Sequence, residues 1–300
     1  MDKEVITHEQ KYPWLVRVFP RRTKATPKDG LSFIGKPPIY KLKNIEEVHV
    51  SCTFTWDKPK AEWLAKLWTR AGYNVKIGGP AFDAHDDDFI PGRYLAHNNV
   101  ITSRGCPNNC WFCWVPKREG GIREIPIEDG WIMHDSNLLA CSDNHINAVL
   151  DMLDRQPERA IFAGGVEALL VKDWHIKRFK EIKVRKMYFA YDTPDDLKPL
   201  QDVGKRLIAG GFTPHSQMQA FVLIGWPKDT MEAAEKRLWE TVDAGFMPYA
   251  MLFRDKKGKF KKAWRKFQYM WSNQIYVGTT IKNRNKQKET PQSKPTIFNI

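Results

Sequence analysis

Apolar residues are spaced so that short strands should alternate with helices over most of the chain. Strands are predicted at 47–54, 75–78, 99–103, 131–134, 160–163, 187–191, 220–224 and 249–253. Helices are predicted at 59–71, 143–155, 173–181, 195–209 and 230–244. The stretch before Lys43 contains five prolines and little periodicity, so we expect loops there.

This alternation predicts an α/β fold. Right-handed β-α-β crossovers would join the last six strands into a parallel sheet or a partial (β/α)6 TIM-like barrel. We therefore predict three parts: a small N-terminal α/β unit at 1–95, the partial barrel at 96–255, and a basic helix with a flexible tail at 256–300. In such barrels the chemistry lies at the carboxyl ends of the strands.

Positive charge is concentrated at the end of the chain. The 300 residues are 42% hydrophobic and carry a formal net charge of +13, which excludes collagen-like and wholly disordered classes. Residues 255–300 hold twelve Lys and Arg against two Asp and Glu, a net charge of +10. The preceding 254 residues are therefore close to neutral, and the basic segment needs its own explanation.

Aromatic residues in this segment follow a helical spacing. Trp264, Phe267, Trp271 and Ile275 recur among lysines and arginines, which predicts a basic amphipathic helix, and after Gly278 the sequence predicts a mobile tail. Three roles are open: a solvated helix that covers the barrel, a grip on nucleic acid, or a contact with another anionic partner such as a protein. The single aromatic stripe favours packing on the barrel.

The chain has no run of the roughly 18 to 20 apolar residues that a membrane span needs, and its first ten residues are too polar for a signal peptide. We therefore expect a cytoplasmic protein without a membrane partner. Three of its five cysteines lie within eight positions, a clustering that indicates metal or redox chemistry.

The clustered cysteines, Cys106, Cys110 and Cys113, form a C-x3-C-x2-C pattern. Three thiolates on one loop can hold a single inorganic centre and leave one metal position open. A structural zinc would need a fourth protein ligand, for which His134 is a candidate. An iron–sulfur cluster, a structural zinc and a buried thiol cluster all remain open on these residues alone.

The segment Thr102–Cys113 resembles the signature of the radical S-adenosylmethionine (SAM) superfamily, including an aromatic residue, Phe112, before the third cysteine. The resemblance implies a radical SAM barrel in which the three cysteines hold a [4Fe-4S] cluster that binds SAM. An electron from a donor such as flavodoxin or ferredoxin would cleave SAM to a 5'-deoxyadenosyl radical that abstracts hydrogen from a substrate. The substrate does not follow, although nucleic acid or a nucleotide is a candidate.

Two later turns extend the resemblance. Gly164-Gly165-Val-Glu167 is similar to the Gly-Gly-Glu turn that meets the methionine amino group of SAM, but a valine separates the glycines from Glu167. The segment that begins at Gly225 resembles the Gly-x-Pro-x-Glu-Thr turn near adenine, with Asp229 in place of Glu. Simple strand-to-helix turns are the alternative for both.

By the same resemblance, Asp192 is placed to bind ribose hydroxyls and Arg237 to reach the SAM carboxylate. A solvated surface position or a salt bridge within the barrel is the alternative for each. The N-terminal unit resembles a shortened cobalamin-binding domain, but Asp83-Ala-His85-Asp lacks the glycine of the Asp-x-His-x-x-Gly motif, so cobalamin is not predicted.

The remaining cysteines, Cys52 and Cys141, are predicted to be small buried hydrophobic residues. Two thiols are too few for an auxiliary cluster, which argues against sulfur insertion, while a two-cysteine methyl transfer stays open. Trp111 and Trp114 flank the triad and are predicted to shield it from solvent. The alternative function is a non-catalytic nucleic-acid-binding protein stabilised by zinc or an iron–sulfur cluster.

Overall fold

A computed structural model describes residues 8–82, 89–255 and 258–289 of the chain, with side chains up to residue 286. The protein has a mixed α/β fold built on parallel sheets, as the alternating pattern predicted. It divides into two compact units. The first ends at Ala160 and also includes Gly258, and the second runs from Ile161 to Asp255 and resumes at Lys259. The three-part division of the sequence stays a prediction.

The strands are β1 Leu15–Phe19, β2 Ser32–Ile34, β3 Glu47–Ser51, β4 Val75–Gly78, β5 Asn99–Val100, β6 Ser103–Arg104, β7 Arg123–Glu124, β8 Ile132–Met133, β9 Ile161–Phe162, β10 Lys186–Tyr191, β11 Met218–Ile224 and β12 Met247–Leu252. The α-helices are α1 His8–Lys11, α2 Lys58–Arg70, α3 Val115–Arg118, α4 Asp143–Asp154, α5 Asp173–Glu181, α6 Leu197–Ala209, α7 Met231–Asp243, α8 Trp264–Ser272 and α9 Gln274–Glu289. The five helices predicted between residues 59 and 244 are confirmed to within two residues at most ends.

The first unit begins with a four-stranded parallel sheet of order β2-β1-β3-β4. Two of these strands lie where we predicted loops, so that prediction was wrong. The reason lies in β1, whose five residues are all buried and include Arg17 in the middle. Arg17 is paired with Asp29, 2.6 Å away, which lets a charged residue occupy a core strand.

Helix α2 packs Leu64 and Trp68 against this sheet, where they join valines of β1 and β3 in one core cluster. Cys52 belongs to the same cluster and is fully buried, with its thiol hydrogen-bonded to Phe54 O at 3.4 Å. The prediction that Cys52 is a small buried hydrophobic residue is confirmed. Asp83 and His85, which argued against cobalamin, lie outside the described residues.

The rest of the first unit contains a parallel pair, β5 with β8, and an antiparallel ribbon, β6 with β7. The predicted strand at 99–103 is thus two short strands, of which only the first joins a parallel pair. The ribbon encloses the segment that carries the cysteine triad.

In the second unit, β9, β10, β11 and β12 form consecutive parallel strands, and α5, α6 and α7 connect them. The sheet is buried: Phe189 of β10 packs edge-to-face on Phe246, with ring centroids 5.0 Å apart. The β-α-β alternation predicted for this region is confirmed.

The C-terminal segment differs from the prediction in two ways. The aromatic stripe of α8 is Trp264, Phe267 and Trp271, all buried, whereas Ile275 lies in the next helix and is 84% exposed. A helix, α9, also covers the first part of the predicted mobile tail. It forms because Val277 and Ile281 are buried and Arg284 pairs with Asp243 of α7, contacts that sequence periodicity did not show. Among the described residues, no helix is long and apolar enough to cross a membrane.

Candidate functional site

The triad cysteines lie on the loop that connects the two strands of the β6–β7 ribbon. Gly105 introduces this loop in a left-handed conformation, with φ of +84°. A Cβ atom at this position would overlap the carbonyl oxygens of Gly120 and Gly121. Cys106 N donates to Gly120 O at 3.2 Å, so the two ends of the loop are held together at its first thiol.

Glu119, a residue of the loop itself, stabilises the loop through hydrogen bonds of its side chain. Its side chain is 1% exposed, and its Oε2 accepts from Gly105 N at 3.1 Å and from Ser136 Oγ at 2.9 Å. Burial acts to raise the pKa of Glu119, but the hydrogen bond from Arg118 and the charge of Arg104 lower it overall. The carboxylate is therefore held ionised beneath the first residues of the loop.

Asp135 organises the strand that leads into the loop. Its Oδ1 accepts from Thr102 N and Oγ1, at 2.9 and 2.8 Å, and from Ser103 Oγ at 2.7 Å. His145 Nε2 donates to Thr102 O at 2.9 Å, which ties α4 to the same strand. Burial raises the pKa of Asp135 despite these hydrogen bonds.

The three cysteines are not joined in disulfides, and each is partly buried. Asn137 Nδ2 donates to Cys106 Sγ at 3.4 Å. Burial, and to a lesser extent the charge of nearby Cys106, raises the pKa of Cys113. No three His, Cys, Asp or Glu side chains in the described ranges lie close enough together to hold a metal ion as they stand. In donor type, although not in their present spacing, three thiols on one short loop match the ligands of an iron–sulfur cluster.

The structure also gives the positions of the other residues that the sequence associated with the triad. His134, the candidate fourth zinc ligand, has its Nε2 2.6 Å from Asn99 Oδ1. Trp111 and Trp114 are 59% and 44% exposed, and Trp111 meets Phe112 edge-on. Cys141 is half-buried rather than fully buried, and burial raises its pKa to about 11 although Ser103 hydrogen-bonds to it.

The remaining predicted site residues belong to the second unit. Gly164 and Gly165 follow β9, and Gly165 is left-handed with φ of +116°. The extra residue, Val166, is buried and its N donates to Tyr188 O at 2.7 Å. This bond fixes the turn to β10 and leaves Glu167 partly exposed beyond it.

Asp192 follows β10 and reaches the next strand. Its Oδ1 accepts from Leu223 N of β11 at 3.0 Å, and its own N donates to Asp196 at 2.9 Å. Burial and the Asp196 charge raise the pKa of Asp192 to about 7, against the Leu223 hydrogen bond and the charge of Arg237, which lower it. A carboxyl group at a strand end that titrates near neutrality is typical of functional sites.

Gly225 ends β11 in a turn that Asp229 closes. The Asp229 carboxylate accepts from Gly225 N at 2.7 Å and from Arg237 Nη2 at 2.9 Å. Arg237 also donates to Leu223 O at 3.1 Å and lies over the Trp226 ring. A Cβ atom on Gly225 would meet Leu252 at 2.7 Å and Trp264 at 3.1 Å. Arg237 thus forms the salt bridge that was its alternative role, and contact with SAM stays a prediction.

Sequence reasoning missed several residues that shape these loops. Glu119, Asp135 and Asn137 support the cysteine loop, and Asp229 closes the Gly225 turn. Their signal in the sequence was weak, because a single carboxylate or amide between two short strands has no characteristic spacing. The sequence showed Asp229 where the similar turn has Glu, but it did not show that this carboxylate accepts from Gly225 N and Arg237.

The raised pKa of Asp192 predicts a pH-dependent stability. The folded protein keeps this carboxyl protonated up to about pH 7, whereas an unfolded chain releases the proton near pH 4. The folded state therefore holds the extra proton between these values, and its stability falls as pH rises through this window. We expect Asp192→Asn to be more stable than the wild type by about 2–4 kcal/mol at pH 8 and nearly equal to it at pH 4.

Urea unfolding followed by circular dichroism at the two pH values measures this difference. Asp202→Asn, an exposed change on α6, is the matched control, and its difference from the wild type sets the baseline for an Asp-to-Asn substitution at each pH value. A stability gain for Asp192→Asn that is equal at pH 4 and pH 8 would contradict the titration of this group.

No family model matches the sequence, and a search of curated proteins found no match. The similarity to radical SAM enzymes therefore depends on the cysteine segment and the turns described above.

Proposed function

We propose that the protein is a radical SAM enzyme with a partial (β/α)6 barrel. The observation that carries the proposal is the cysteine loop, which has three cysteines at C-x3-C-x2-C spacing, begins with a left-handed glycine and is stabilised by a buried carboxylate. Cys106, Cys110 and Cys113 would hold a [4Fe-4S] cluster. When bound, such a cluster supplies the electron that cleaves SAM reductively.

The chain's own residues then have separate tasks. Glu119 and the Gly105 turn fix the backbone from which the thiols project. Asn137 donates a hydrogen bond to Cys106 Sγ, a contact of the kind that tunes the electronic properties of a ligand. In the proposal these groups position the cysteine ligands.

In the second unit, Gly164, Gly165 and Gly225 would bring backbone close to SAM, and Asp192 would accept or donate hydrogen bonds at its ribose. The near-neutral pKa of Asp192 supports this role, because the carboxyl can change protonation when a polar ligand replaces solvent. Arg237 would have to exchange Asp229 for the SAM carboxylate. A cytoplasmic location and a small electron-transfer protein as partner complete the proposal.

The test is anaerobic reconstitution of the full chain with iron and sulfide. We expect about four iron and four sulfide per chain, a broad absorbance in the visible, and 5'-deoxyadenosine from SAM after reduction. Stoichiometric zinc without sulfide in the protein as isolated, and no nucleoside product after reconstitution, would instead support the alternative of a zinc-stabilised nucleic-acid-binding protein.

A further inference from the structure

Helix α8 has two faces of opposite character. Trp264, Phe267 and Trp271 are each 3–4% exposed, and the helix packs with them against β12. At about 100° per residue, Arg265 and Tyr269 fall on the side opposite this stripe. Tyr269 is 68% exposed. The aromatic stripe is therefore used for packing, and a separate outward face remains.

The outward face comprises Lys262, Arg265, Lys266 and Tyr269, where Lys262 lies in the turn before the helix and its O accepts from Arg265 N at 3.0 Å. All four residues are exposed. At about 100° per residue, the three cations fall on the same side of the helix as Tyr269.

The charge of this face is not neutralised locally. From Lys256 to Lys288 the sequence contains eleven Lys and Arg and no Asp or Glu. Within the described part of the chain, no carboxylate lies within salt-bridge distance of the three cations on the outward face. Their summed field therefore extends into solvent and attracts anions.

Helix α9, by contrast, carries a cation with a structural role, Arg284. Arg284 makes two hydrogen bonds to Asp243, at 2.9 and 3.0 Å, and stacks on Trp239 at 4.3 Å. It anchors α9 on α7. Lys282 lies two residues before it and is exposed. Among the residues that the structure describes, the outward cations of α8 have no such anchoring partner, so they are available to a ligand.

We propose that the outward face of α8 binds single-stranded nucleic acid, with Lys262, Arg265 and Lys266 contacting phosphates and Tyr269 stacking on a base. Phosphate neutralisation combined with an exposed aromatic ring is the recognition chemistry of single-strand binding. A helix that inserts into an anionic membrane presents apolar side chains beside its cations, whereas Trp264, Phe267 and Trp271 of α8 are buried and the exposed ring of Tyr269 suits stacking on a base. This inference does not depend on the proposed function.

The test is fluorescence anisotropy of the full chain with labelled deoxythymidine and uridine oligomers of about 20 nucleotides, between about 50 and 200 mM salt. We expect binding that weakens with salt. Combined Lys262→Gln, Arg265→Gln and Lys266→Gln should lower affinity at least about tenfold and reduce the slope of log K against log salt by about 2. Tyr269→Ala should weaken binding about tenfold with the slope unchanged.

The matched control removes three exposed charges elsewhere in the same unit, by Lys177→Gln, Lys198→Gln and Lys205→Gln on α5 and α6. It should retain nearly full affinity. Equal loss in the control, or a wild type that does not bind oligonucleotides, would overturn the proposal. Binding to phosphatidylserine vesicles that depends on the same three cations, without oligonucleotide binding, would also overturn it. Because all substituted side chains are exposed, circular dichroism and the melting temperature should not change.

Discussion

Replacing Cys106, Cys110 and Cys113 together with alanine is expected to reduce iron and sulfide after anaerobic reconstitution from about four each to near zero, and to abolish 5'-deoxyadenosine formation. The three thiols share one loop and provide the protein ligands of the proposed cluster, so the cluster has no attachment without them. Iron and sulfide analysis, the visible absorbance and chromatography of the nucleoside product measure the effect.

The other two cysteines provide matched controls. Cys52 lies in the core of the N-terminal sheet and Cys141 lies beside Ser103, so single alanine variants at these positions should retain iron and SAM cleavage. Loss of activity with full iron content in Cys141→Ala would point to the two-cysteine chemistry left open by the sequence. A folded triple-alanine variant that kept iron and product would refute the proposed function.

Asp229→Ala is expected to lower the free energy of unfolding by about 3–5 kcal/mol. Asp229 and Arg237 are both buried, and the alanine variant leaves the Arg237 guanidinium without its carboxylate and Gly225 N without its acceptor. Urea unfolding followed by circular dichroism measures the loss.

An exposed Asp–Arg pair in the same unit is the control. Asp243 and Arg284 are partly exposed to solvent, so Asp243→Ala should cost only about 1 kcal/mol or less. Combining Asp229→Ala with Arg237→Met should recover part of the loss, because the isolated buried charge is removed. Equal losses of unfolding free energy for Asp229→Ala and Asp243→Ala would show that burial does not determine how much the Asp229–Arg237 pair contributes to stability.

The sequence was sufficient to place most helices because amphipathic spacing and capping residues are local signals. Helix α4 is an example, where Ser142 caps the helix by accepting from His145 N at 3.2 Å and the apolar residues recur on one face. Strand β1 was missed because its apolar run is short and is interrupted by Arg17. The partner that makes this charge acceptable, Asp29, is identified only by the fold.

The same limit applies to the site. The cysteines could be found because their close spacing is itself a pattern in the sequence. Glu119 and Asp135 could not, because they act on Gly105 and Thr102 across 14 and 33 positions, and hydrogen bonds of that range leave no local pattern. Helix α9 was missed for a related reason, since the burial of Val277 and Ile281 and the pairing of Arg284 with Asp243 are identified only by the fold.

The contact between Gly225 and Trp264 has an evolutionary consequence. Trp264 begins the basic helix and lies over the turn that ends β11, while its neighbour Arg265 faces solvent. One helix therefore covers the turn and carries the charge, so loss or exchange of the C-terminal segment would also uncover the turn. A related protein without the basic helix would need other side chains to fill the space above residue 225. We therefore expect loss of the helix and substitutions around this turn to occur together in evolution.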